Sequence, residues 1–143
     1  MPAIVLTTNV KPRDEAHEKE LVLDLSKFSA QILGKPEKYI SVVYSYVGTL
    51  SFHGTFEPAF LLHITSLGNI NPEANEKYSK GLFDYFKEKL NIPGDRGYMY
   101  AYRSARSITV TKCPPRSLST FYDPGLAYLG HEGTTFATIF GSK

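Results

Sequence analysis

The second residue of the chain is a proline, and four small or branched apolar residues and two threonines follow it. The opening "MPAIVLTTN" reads as a β-strand that begins with the one residue unable to donate to a strand ladder. One explanation is purely structural: proline is tolerated at the first position of a strand, where its missing N–H does little harm. The other is chemical. Small second residues generally permit removal of the initiator methionine, and loss of Met1 would leave Pro2 as a secondary amine at the N-terminus. An α-amino group titrates near about pH 8, well below a lysine. Burial beside a cation lowers it further and makes it a base able to take a proton at neutral pH. The residues alone leave both explanations standing. Elsewhere the chemistry-bearing side chains are sparse. Cys113 is the only cysteine; it precedes Pro114 and Pro115 outside any motif and reads as an inert thiol. His17, His53 and His63 lack metal-ligand spacing and are assigned no role.

The elements that would position Pro2 emerge when the chain is compared with itself. "PAIVLTTNV" begins at Pro2 and "PAFLLHITS" at Pro58, each a Pro-Ala followed by an alternating apolar run. A helical pattern follows both. In the first half Leu21, Leu25, Phe28 and Ile32 form one stripe, and Gly34 and Pro36 supply the stop. In the second half Asn71 is an N-cap, Pro72 suits the first helical position, and Tyr78, Leu82, Tyr85 and Leu90 share a face. A short strand then follows each helix, "YISVVYSY" from Tyr39 and "YMYAY" from Tyr98, and "GTLSFHGTFE" joins the halves. The expected fold is α+β: two β-α-β repeats forming a four-stranded sheet with two helices on one face. Its other face is apolar and bare, and a neighbouring subunit is the simplest cover.

Composition narrows the function classes. The 143 residues are 42% hydrophobic, enough for a real core, and the expectation is a single domain over 1–143. Sixteen basic and fourteen acidic residues are well mixed, for a net charge of +2, so no polybasic stripe argues for nucleic acid. Ten tyrosines and nine phenylalanines suit a core and an aromatic-lined pocket. The lone cysteine gives no disulfide framework. No signal peptide and no apolar run of about 20 residues is present, so no membrane partner is expected and the default location is the cytoplasm.

The twin halves, Pro2 and the stretches "MPAIVLTTNV", "GKPEKYI", "SFHGTFEPA", "HITSLGNIN", "YSKGLFDYF" and "IPGDRGYMYAY", with "GTTFA" at Gly133 to Ala137, resemble the macrophage migration inhibitory factor family of the tautomerase superfamily. The resemblance implies a homotrimer whose sheets surround a central channel, with three active sites at subunit interfaces. It implies that Pro2, after processing, is the catalytic base of a keto–enol tautomerase acting on phenylpyruvate-like or dopachrome-like compounds, that is, on a small 2-oxo acid or its enol. Lys35 would hold the substrate's carboxylate or carbonyl oxygen, and the backbone N–H of Leu67 would contact the substrate. Tyr98 would come from the adjacent subunit, and Leu129 and Phe136 would keep an apolar wall. No metal or organic cofactor is required for this chemistry. Without the resemblance, Lys35 reads as a solvated lysine at a helix end.

The chain departs from that pattern in several places. A family pocket asparagine falls at Tyr100, exchanging a small amide for a large ring at the substrate. A family tryptophan falls at His131, either a rim contact or a plain surface histidine. The Cys-x-x-Cys of some members is replaced by Ala59 and Leu62, leaving thiol redox activity unsupported. An insertion of about 20 residues lies within 103–128 and is either a lid over the pocket or a surface embellishment that thickens the trimer. The competing functional reading is a cytokine-like or moonlighting interaction protein with a vestigial pocket, a protein receptor as partner, and export without a signal peptide. A trimeric scaffold with neither role is the third.

Overall fold

Alternation of apolar and polar residues sets the first strand, β1 (Ala3–Thr8), with Ile4, Leu6 and Thr8 buried and Ala3 and Val5 exposed. In the computed structural model, which describes residues 2–103, 129–131 and 134–135, helix α1 (Glu15–Leu33) follows. Asp14 caps it, its carboxylate accepting from the His17 N–H at 2.7 Å, and Gly34 ends it in the left-handed region at φ 62°. A short 3-10 turn (Glu37–Tyr39) leads into β2 (Ser41–Tyr46), so Tyr39 and Ile40 precede the strand rather than start it. The second half repeats the plan with β3 (Phe60–Ser66), α2 (Pro72–Leu90) and β4 (Gly97–Arg103). Asn71 caps α2 through its side chain, which accepts from Ala74 N–H at 2.9 Å, and Pro72 sits at the first helical position.

Each half pairs its two strands in parallel, β1 with β2 and β3 with β4, and β1 meets β3 antiparallel. These four strands are the body of a mixed sheet. Two short strands, β5 (Leu129–His131) and β6 (Thr134–Thr135), extend it beyond β4 in the order β2-β1-β3-β4-β5-β6. The remainder of the sequence-predicted insertion, from 104 to 128, lies outside the described residues, as does Phe136.

Both helices cover one face. Ile4, Leu6, Leu62, Ile64 and Met99 from the sheet meet Leu25 and Leu33 of α1 and Tyr78, Leu82 and Phe86 of α2. The helices approach closely where Gly81 faces Ile32; a Cβ there would push the Ile32 terminal methyl aside. Phe28 stacks on Tyr85 beside it, with ring centroids 4.7 Å apart. The opposite face carries Val5, Val43 and Leu61 with His63, Tyr98 and Tyr100, none of them buried within the chain.

Candidate active site

Pro2 is buried immediately before β1, and its carbonyl accepts the Ser41 N–H at 3.1 Å. The first bond of the β1–β2 ladder thus uses the group proline has, and its missing donor costs nothing. At this end of the sheet a cleft of about 410 Å³ is lined by Pro2, Lys35, Pro36, Tyr39, Ser66 and Leu67. Three elements converge on it: the start of β1, the end of α1 and the end of β3.

Local signals place Lys35. Gly34 turns the chain out of α1, and the Lys35 N–H returns to the Ala30 carbonyl at 3.1 Å while the Gly34 N–H reaches Gln31. Pro36 then prevents continuation, and half-buried Lys35 projects at the cleft. Leu67 is 40% exposed at the rim, followed by Gly68 at φ 78°, which reverses the chain after β3. Among the described residues no carboxylate lines the cleft, and Lys35 is its charged group. The arrangement sets a cation and a proline against a small apolar wall, which suits an anionic ligand with a flat apolar body.

Sequence reasoning named Pro2, Lys35 and Leu67, and the structure brings all three together. It does not bring Tyr98 or Tyr100 to them within one chain. Tyr98 pairs with Leu61, which pairs with Thr7, so its row is five residues along β1 from Pro2, about 17 Å at strand spacing. Tyr100 lies on the face opposite the helices, stacked on His63 at 4.8 Å between ring centroids and 8° between planes. Burial pushes the His63 pKa below its usual range. Phe136 lies outside the described residues; the backbone of His131 falls in β5, paired with Thr134.

Pro36, Tyr39 and Ser66 line the cleft without having been singled out. Tyr39 is exposed at the rim with the Lys38 ammonium 5.0 Å from its ring centroid. The signal for it was Pro36, which delays the strand and leaves room for a turn. The far end of the sheet is built differently. Arg96, 7% exposed, donates to the carbonyls of Pro58 (3.0 Å), Glu57 (3.0 Å) and Phe52 (3.2 Å), and Asn9 Nδ2 is shared among the carbonyls of Leu50, Phe56 and Glu57. The joining loop is thereby strapped down, and its Phe52 packs on Tyr98 with centroids 5.0 Å apart.

These features coincide with a known family. The model described as macrophage migration inhibitory factor matches residues 1–116. The chain is 31% identical over 137 residues to the macrophage migration inhibitory factor of Xenopus tropicalis, covering 96% of this chain and 100% of that protein. It is 35% identical over 100 residues to the homolog from Trichinella spiralis, covering 70% and 86%. The solved structure of the Trichinella spiralis factor superposes with a TM-score of 0.60 at 32% identity, covering 71% of this chain and 86% of that one. The homologue from Prochlorococcus marinus gives 0.60 at 27% identity, with the same coverage. The chain belongs to the macrophage migration inhibitory factor family.

Proposed function

We propose that the chain is a cofactor-independent keto–enol tautomerase of small aromatic 2-oxo acids, with Pro2 as catalytic base once Met1 is removed. The observation that carries this reading is the cleft in which buried Pro2 sits with Lys35 and Leu67. Enolisation next to a carbonyl needs a base that is neutral at working pH and partners for the developing oxyanion. A desolvated secondary amine serves as the base; the Lys35 ammonium and the Leu67 N–H serve the oxygen. The amine takes the proton from the carbon beside the carbonyl and returns it to oxygen or carbon, so proton and charge balance without a further reagent.

The same reading makes the protein a homotrimer. Tyr98 and Tyr100 are remote from Pro2 in one chain, so they complete a cleft only from a neighbouring subunit, and the sheet face with exposed Val5 and Val43 supplies surface for that contact. Phe136 is assigned to the wall of the completed pocket. The relatives' name supports a second reading, an interaction protein with a receptor, in which the cleft is inherited and idle. Phenylpyruvate turnover by protein whose mass shows loss of Met1, set beside Pro2→Gly, separates them. The tautomerase reading expects the variant to lose about 10²–10⁴-fold in rate; equal rates would defeat it.

A further inference from the structure

The two oxyanion partners sit on different elements, Lys35 just beyond α1 and Leu67 just beyond β3, and one side chain joins those elements. Asn69 accepts the Ser66 hydroxyl at its Oδ1, 2.6 Å away, and donates from Nδ2 to the Leu33 carbonyl at 2.9 Å. Its main-chain carbonyl accepts the Tyr78 hydroxyl at 3.0 Å, which anchors the same turn to α2. The last carbonyls of a helix have no partner within it. Gly34 and Lys35 satisfy those of Gln31 and Ala30, and Asn69 satisfies that of Leu33, directly before Gly34. The left-handed backbone of Gly68 turns Asn69 back toward Ser66, so a single carboxamide spans both walls of the cleft.

We propose that Asn69 is a positioning residue that fixes the separation between Lys35 and the Leu67 N–H. The proposal rests on the tautomerase reading above, in which those two groups serve one substrate oxygen. Two donors aimed at one developing charge are effective only when their spacing is set before reaction. A carboxamide is suited to this, because it offers an acceptor and a donor at once in one rigid plane. An aspartate keeps the acceptor for Ser66 and loses the donor for Leu33. It therefore cuts one arm of the brace with little change of shape.

The test is a double-mutant cycle on acid substrates, with Asn69→Ala and Asn69→Asp each made with and without Lys35→Ala, together with backbone amide exchange of every variant. Lys35→Ala alone should cost about ten- to a hundredfold in kcat/KM. Once Asn69 is changed, the same Lys35→Ala step should cost less than about threefold, because the ammonium is no longer held on target. The amides of Gly34 and Lys35 should exchange about tenfold faster in both single Asn69 variants. A full Lys35→Ala penalty in either folded Asn69 background would overturn the positioning role. If the wild-type protein turns over no keto–enol substrate, the tautomerase reading fails. The brace then stands or falls on exchange at Lys35: unchanged protection in Asn69→Asp would overturn it. Asn69→Asp carries the test where Asn69→Ala does not fold.

Discussion

The two ends of the central sheet are built on opposite principles. At the Pro2 end, a buried imino acid, a half-buried cation and a rim leucine face open space, and their support comes from behind through Asn69. At the other end, Arg96 Nε and Nη2 and Asn9 Nδ2 all donate to loop carbonyls, and Phe52 lies between the Arg96 guanidinium and the Tyr98 ring. The first end leaves polar groups available to a ligand; the second consumes them internally. A site that needs rigid aromatic walls and available donors can draw the former from the strapped end of one subunit and the latter from the open end of another. In the proposed trimer, this difference would leave each end half of a site within one chain.

Breaking each end should therefore damage a different property. The largest effect belongs to the open end, where Pro2→Gly should cost about 10²–10⁴-fold in kcat and leave thermal unfolding within about 2 °C of wild type. At the strapped end Arg96→Met removes a buried cation that satisfies three carbonyls, and about 3 kcal/mol of stability should go with it. Thermal unfolding measured alongside kcat per folded subunit should show the larger loss in the melting temperature, with a smaller fall in kcat as the Phe52 and Tyr98 rings loosen. Lys35→Ala should cost acid substrates about ten- to a hundredfold in kcat/KM and their methyl esters less, since the contact at stake is charge-assisted. An equal penalty for acid and ester would assign the ammonium to the developing oxyanion alone and remove any contact with the carboxylate.

The smallest expected effect lies on the sheet face opposite the helices, between the two ends. Burial holds the His63 pKa below its ordinary value, so between the lowered value and about pH 6.5 the unfolded chain binds more protons than the folded one. The associated stability is complete above that window and is lost as pH falls through the folded pKa. His63→Phe keeps a ring against Tyr100 and cannot titrate. Its melting temperature should fall less than wild type's between pH 7 and pH 5, by about 2 °C. Parallel curves would dismiss His63 as an acid-sensitive contact.

Much of this was legible beforehand because it is local. Asn71 and Pro72 announce a helix start in adjacent residues, Gly34 announces an end, and alternation along residues 3–8 and 60–66 announces strands. Pro2 and Lys35 were legible as a pair only through family resemblance, because 33 residues separate them and no spacing rule joins a strand start to a helix end. Asn69 was not legible at all: its partners, Ser66 and Leu33, are assembled by the fold, and an asparagine three residues after a strand ordinarily reads as a turn. Tyr39 opens the stretch "YISVVYSY", expected as a strand, but the turn that follows Pro36 claims it. Tyr98 and Tyr100 show the remaining limit. Strand pattern puts them on one face, while the proposed site would take its Pro2 from another copy of the chain.

The central claim, that open end and strapped end meet across a subunit boundary, is tested most directly by mixing two inactive variants. Pro2→Gly retains Tyr98, and Tyr98→Ala retains Pro2. Unfolded together in equal amounts and reassembled, they form trimers in which about a quarter of the interfaces pair an intact Pro2 with an intact Tyr98. The account predicts recovery of about a quarter of wild-type tautomerase activity, with neither variant recovering when reassembled alone. Activity in the mixture no greater than the average of the two separate variants would contradict it.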